Sequence, residues 1–205
     1  MYSTRTGLIL GFHGCDESIL QDILTGNNSL TPSTNEYDWL GHGVYFWDNS
    51  PSRALEFATF LEKNPNKARR PIKKPAVIGA VLELGHCLDL LDYENLQFVK
   101  DAYNALASSY NASGISLPQN KTVGTTKDLL LRELDCAVIR TLHAAGKKLG
   151  RPSFDSVRGV FWEGDELYEN AGFREKDHIQ ICICNPNCIK GYFLPKSEEV
   201  VYSRV

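Results

Sequence analysis

The chain has 205 residues, long enough to bury one sizeable core without disulfide or metal staples. Hydrophobic residues at 42%, charged residues at 23% and a net charge of −3 exclude a disordered chain and any global attraction to nucleic acid or anionic membrane. One domain, 1–205, is expected. The apolar run near the start ends by His13, too short and too polar for a signal peptide or a membrane span, and the six cysteines at 15, 87, 136, 182, 184 and 188 have no regular spacing. The thiols therefore read as reduced, and a cytoplasmic protein is expected.

Residues 8–12 form an apolar run that leads into His13-Gly14-Cys15, and Asp16, Glu17 and Ser18 supply capping groups, so a strand is predicted to pass into a helix. Ile19, Leu20, Ile23 and Leu24 give that helix one apolar face, and Gly26-Asn27-Asn28 stops it. A turn-rich loop follows at 30–36. Residues 37–58 then read as loop, strand and capped helix: Gly41 and Gly43 flank His42, Val44-Tyr45-Phe46-Trp47 is the strand, and Asn49 or Ser50 caps a helix with Pro51 near its first position.

Six cations, Lys63, Lys67, Arg69, Arg70, Lys73 and Lys74, follow without an intervening acid and among three prolines. An exposed, mobile loop is predicted there, either a solvated segment that aids solubility or one whose attraction for phosphates favours a nucleic-acid acceptor. Residues 76–84 are rich in branched side chains and predict a central strand. Helical periodicity at 93–108 and 127–145 predicts a helical insertion, about 88–150, between strands. The last third returns to strands at 157–162, 178–184 and 188–193, with a loop at 163–177.

In the strand that starts at His178, Ile179, Ile181 and Ile183 alternate with His178, Gln180, Cys182 and Cys184, so a core-facing set opposes a polar set. The polar set suits a cleft or a half-exposed strand. Cys182, Cys184, Cys188 and His178 are zinc-ligand types, but without a tight C-x-x-C turn no metal is expected.

The pair His13-Gly14 at the end of a first strand, and Gly41-x-Gly43-x-Tyr45-Phe46 about thirty residues later before a helix start, resembles the poly(ADP-ribose) polymerase and diphtheria-toxin branch of the ADP-ribosyltransferases. The resemblance covers the first sixty residues well and the last fifty loosely. It implies an α+β fold with a split, mostly antiparallel sheet, and NAD as co-substrate. It also implies transfer of one ADP-ribose to a macromolecular acceptor, protein or nucleic acid, with release of nicotinamide. Compact members of this kind act in bacteria as toxins or in conflict with phage, which adds a cognate inhibitor protein to the implied partners and no membrane.

By the same resemblance His13 bonds a ribose hydroxyl, Gly14 offers its backbone to the nicotinamide amide, and Tyr45 stacks on the nicotinamide ring. Gly43 and His42 lie beside the ligand, and Phe57 is the second aromatic that sandwiches the ring. By its own chemistry Arg158, at the start of a strand, suits either a diphosphate, through bidentate bonds, or a surface salt bridge. His178 helps to choose or deprotonate the acceptor, and the loop with Glu163, Glu166 and Tyr168 meets it. One position departs from the pattern, because Gln180 stands where the family has a glutamate. A carboxylate both accepts from a ribose hydroxyl and stabilises the cationic centre left as nicotinamide departs, whereas an amide does only the first. Three outcomes follow: slower transfer of a single ADP-ribose, a substitute acid from the 163–169 loop, or NAD binding without turnover. A related reaction, transfer of a phosphate from RNA to NAD, uses two histidines and an arginine along the cleft, and here only His13 is so placed.

Overall fold

The computed structural model describes residues 7–124 and 126–196. In chain order they form β1 (Ile9–Asp16), α1 (Glu17–Leu24), β2 (Val44–Asp48), α2 (Pro51–Lys63), β3 (Pro75–Leu82), β4 (Cys87–Asp89), α3 (Tyr93–Ala112), β5 (Asn120–Thr122), β6 (Leu129–Arg132), α4 (Glu133–Lys148), β7 (Ser156–Phe161), β8 (His178–Ile183) and β9 (Ile189–Phe193). The architecture is α+β. Seven strands make one sheet in the order β4-β7-β8-β2-β1-β3-β9, and β5 with β6 makes a separate two-stranded sheet. Within the large sheet only the β4–β7 pair is parallel.

Each face of the large sheet is covered differently. On one face Phe46, Ile78, Ala80, Leu82, Ile181 and Ile183 pack with Leu20 and Ile23 of α1. On the other face there are two clusters. Phe12 and Trp47 pack on Ala54 of α2, while Trp39, Leu40, Val157, Phe161 and Cys182 pack on Ile139 of α4. Register explains the division: Phe12 lies opposite Trp47, Trp47 opposite Gln180 and Gln180 opposite Gly159, so these residues share a face across four strands.

Glycine at position 14 is required by α2. A Cβ there would lie 2.1 Å from the carbonyl oxygen of Ala54, so the helix approaches β1 only because no side chain intervenes. Asp16 then joins strand, helix and basic segment. Its Oδ1 accepts from the backbone N–H of Ser18 at 3.0 Å as the cap of α1, and its Oδ2 accepts from the backbone N–H groups of Lys73 at 2.7 Å and Lys74 at 3.0 Å. Those backbone donors, Lys74 first, hold the Asp16 carboxyl well below the usual carboxylate range. The basic segment is thus anchored at its far end, and its near end is a short 3-10 turn at Pro65–Lys67.

The helix expected over 127–145 begins later. Residues Leu129–Arg132 are strand, paired with Asn120–Thr122, and α4 starts at Glu133. The short β4 is a further strand not foreseen from periodicity. Among the described residues no helix is long and apolar enough to cross a membrane.

Candidate functional site

The sheet parts between β1 and β2. These strands pair only at Gly11–Asp48 and Phe12–Trp47, whereas β1 stays paired with β3 along its whole length. The backbone N–H of Asn49 donates to the carbonyl of Leu10, so even-numbered residues of β1 turn their backbone groups toward β2. Gly14 therefore directs its N–H and C=O into the parting, beyond the last paired residue. His13 sits at the same place with its side chain on the opposite face, near the edge of the Phe46 ring. Its Nδ1 lies 2.8 Å from the carbonyl oxygen of Tyr45, and since a carbonyl only accepts, Nδ1 carries the proton and Nε2 is an acceptor. Burial lowers the pKa of His13 against the opposing pull of that carbonyl, which keeps the ring neutral.

His13 and Gly14 line a cleft of about 420 Å³ with Asp16, Asn28, Arg69 and Arg70. Its walls are the end of β1, the start of α1, the loop after α1 and the basic segment. Arg69 and Arg70 are exposed.

Gln180 lies on the far side of β2, two interstrand spacings or ~10 Å from β1. Its Oε1 accepts from Nε1 of Trp39 at 2.7 Å. Gln180 lies at the seam between the α2 cluster and the α4 cluster, and aromatic rings surround it. Trp47 contacts Phe57 at 5.2 Å and His178 at 6.2 Å between ring centroids, and His178 stacks on Phe161 at 5.4 Å. Three buried polar atoms along this seam have no hydrogen-bond partner in the structure: Nε1 of Trp47, Nε of Arg53 and Nε2 of His178. Buried polar atoms are ordinarily paired, so the seam is chemically suited to a polar ligand.

The state of His178 follows from its contacts. Nδ1 lies 2.6 Å from the carbonyl oxygen of Lys176 and so carries the proton, leaving Nε2 as an acceptor. Burial pushes its pKa down to about 4, more than the Lys176 carbonyl raises it. The near-neutral value expected of a general base is therefore corrected: His178 is a neutral hydrogen-bond acceptor and a weak base.

Arg53 ion-pairs with Glu163 at 2.8 Å and with Glu56 beside it on α2. Burial raises the Glu163 pKa, with Arg53 opposing. Of the acceptor loop, Glu163 alone is thus brought to the seam. The loop is a small hairpin, with Glu166 bridged to Arg174, and Tyr168 is exposed at its tip. Phe57 projects from α2 with 38% of its surface exposed beside Trp47.

Other expected residues lie elsewhere. The Tyr45 ring packs with the α4 cluster, and its hydroxyl donates to the Gly41 carbonyl at 2.8 Å and accepts from the Leu40 N–H at 3.0 Å. That ring is committed to holding the loop before β2. Arg158 is buried on the opposite face from Gln180, where it meets Asp48 through Nη2 at 3.0 Å and Asp89 through Nη1 at 3.3 Å. Two carboxylates occupy its guanidinium, so it is not presented to a diphosphate. Gly41 adopts φ +82°, and with His42 it faces a second cleft on the α4 side. Gly43 packs against β8, where a Cβ would lie 2.5 Å from the Ile183 carbonyl oxygen.

Trp39 and Arg53 carried no site signal in the sequence. The Trp39 contact with Gln180 spans 141 residues, and Arg53 was legible only as a helix residue four before Phe57. Among the described residues no group of three or more His, Cys, Asp and Glu side chains is arranged to hold a metal ion. The chain matches no protein-family model, no curated protein and no solved structure.

Proposed function

We propose that the chain is a mono-ADP-ribosyltransferase that takes NAD into the parting between β1 and β2 and passes ADP-ribose to a macromolecular acceptor, with loss of nicotinamide. The observation that carries this reading is the set of unpaired atoms beside Gln180. Trp47 Nε1 and Arg53 Nε are donors and His178 Nε2 is an acceptor, a combination that complements a ribose diol or an acceptor hydroxyl. On the β1 side the Gly14 backbone groups suit the nicotinamide amide, and the neutral His13 accepts from a ribose hydroxyl. Arg69 and Arg70 on the cleft wall are the cations for the diphosphate, a role better suited to them than to Arg158. The exposed ring of Phe57 is the stacking surface for nicotinamide in this reading, with Trp47 behind it. Bound NAD supplies the glycosidic bond to be broken; the chain's own part is to orient the ribose, exclude water and offset developing positive charge.

A second reading has its own support. Gln180 is neutral and already accepts from Trp39, so the position best placed to stabilise a cationic ribose offers no charge. In that reading the domain binds NAD or ADP-ribose without turnover. Incubation with NAD labelled in the adenine and in the nicotinamide, together with cell extract split into protein and RNA, tests both. Nicotinamide release with label on one fraction is expected. Saturable NAD binding without release supports the binding module, and no NAD binding overturns both readings.

A further inference from the structure

The outer face of α2 carries aromatic rings that lead from the seam to the basic segment. Trp47 contacts Phe57, Phe57 stacks on Phe60 at 6.5 Å between centroids with 25° between the planes, and Nζ of Lys67 lies 4.9 Å from the centroid of the Phe60 ring. Phe57 and Phe60 are exposed, while the same helix buries Ala54 and Ala58. Their spacing of i to i+3 puts both rings on one helix face.

Beyond Phe60 lie the cations at 63, 67, 69, 70, 73 and 74, all exposed and with no acid between them. Among the described residues only Lys74 of this set is ion-paired, to Glu17 at 2.6 Å. Glu56 of α2 does not neutralise the others, because Arg53 and Lys176 hold it. Like charges this close repel one another, and a segment that needed only solvation would relieve the repulsion by spreading out. This one is held in place. Asn64 Nδ2 donates to the Phe60 carbonyl at 2.8 Å, and the Lys67 N–H donates to the Asn64 carbonyl at 2.9 Å. At the far end the Glu17 N–H donates to the Lys74 carbonyl at 2.9 Å, beside the bonds from Lys73 and Lys74 to Asp16.

We propose that this surface binds single-stranded nucleic acid, with a base on Phe60 and phosphates on Lys63, Lys67 and Lys73. Charge complementarity identifies the occupant: on a chain of net charge −3 the segment is a local cationic field, and exposed ring faces adjoin it. A single strand presents phosphates and free base faces together. A duplex hides its base faces, and a lipid headgroup or an acidic side chain offers charge without a ring. Arg69 and Arg70 line the His13 cleft and stay with the NAD diphosphate of the proposed function, as Phe57 stays with nicotinamide. The surface stands on its own rings and cations; only the strand's role as acceptor of ADP-ribose rests on the transferase reading.

The test is fluorescence anisotropy of the full chain with labelled single strands of DNA and RNA of about 12 nucleotides. The duplex of the same sequence, polyglutamate and phosphatidylserine vesicles serve as competitors. Three phosphate contacts on a single strand give a salt slope of about −2, so affinity should fall roughly twentyfold from about 50 to about 200 mM salt. Phe60→Ala should weaken binding by about tenfold or more, and Lys67→Gln should reduce the slope by about 0.7. Both side chains are exposed, so both variants should unfold at the temperature of the unmutated chain. No binding at the lowest salt, an unchanged Kd in Phe60→Ala, or displacement by duplex, polyglutamate or vesicles as effective as by unlabelled strand overturns the proposal. Nicotinamide release on the same samples reports the transferase reading separately. Strand binding without release leaves this surface standing, whereas release with label on protein and no strand binding overturns it.

Discussion

Replacing Gln180 by glutamate is the most direct test of the proposed chemistry. The side chain keeps its length, and Trp39 Nε1, now 2.7 Å from the amide oxygen, would donate to a carboxylate, so the position should be preserved. A negative charge about 5 Å from the anomeric carbon of a bound ribose would stabilise an oxocarbenium-like centre by roughly 3 kcal/mol at an effective dielectric constant near 20. That corresponds to about two hundredfold in rate. Desolvation of the new carboxylate and its repulsion by Glu163, itself held at the seam by Arg53, offset part of this, so a rise of at least about tenfold is expected. Nicotinamide release by Gln180→Glu should be followed by chromatography at saturating NAD, with NAD affinity and thermal unfolding measured on the same preparations. A variant that folds and binds NAD like the unmutated chain but releases nicotinamide no faster would remove Gln180 from the reacting ribose. The transferase reading would then lose its centre.

Three further outcomes are expected. Tyr45→Phe leaves the Gly41 carbonyl and the Leu40 N–H without the hydroxyl, so urea unfolding should show a loss of about 1–3 kcal/mol with NAD affinity unchanged, while Phe57→Ala should weaken NAD binding with little change in stability. Arg158→Met removes the guanidinium that Asp48 and Asp89 share, and thermal unfolding should report a cost of about 3 kcal/mol, set mainly by Asp48. His178 is neutral when folded, with a pKa near 4 against 6.5 when unfolded, so the unfolded chain binds the extra proton between those values. Its contribution is complete above pH 6.5 and is lost as pH falls toward 4, about 3 kcal/mol in all; His178→Gln should flatten that part of the denaturant-midpoint profile.

The strands that build the site were legible because they obey a simple period. In β8 the isoleucines at 181 and 183 are buried as their alternation requires, and β1, β2 and β3 begin and end within a residue or two of where branched runs and caps place them. The failures have a different origin. Leu129–Arg132 carries helical spacing yet is strand, because Asn120 accepts from the N–H groups of Leu134 and Asp135 and so caps α4 from fourteen and fifteen residues upstream. No cap signal of that kind sits next to the helix it serves. Tyr45 lies on the strand that the sequence predicts, but the commitment of its hydroxyl depends on the loop at Gly41 turning back beneath it. For Arg158 the sequence leaves a salt bridge and a diphosphate both open, and only the sheet, which brings Asp48 and Asp89 to it, decides for the first and buries it.

The location of the candidate site has a physical reason that no single segment contains. One face of the sheet is covered by two separate layers, α2 over β1, β2 and β3, and the Trp39 loop with α4 over β7 and β8. Helices that pack on a twisted sheet from different segments leave a seam, and polar side chains are buried along this one, with three of their atoms left without a hydrogen-bond partner. Gln180, His178, Arg53 and Glu163 occupy that seam, while the apolar residues on either side, Phe12 and Ala54 against Val157 and Ile139, do not. The parting of β1 from β2 opens beside the same seam, since β2 is the strand both layers share. A ligand reaching from Gly14 to Gln180, as the proposed function requires, would therefore lie across the strand where packing is divided and the fold is least able to close on itself.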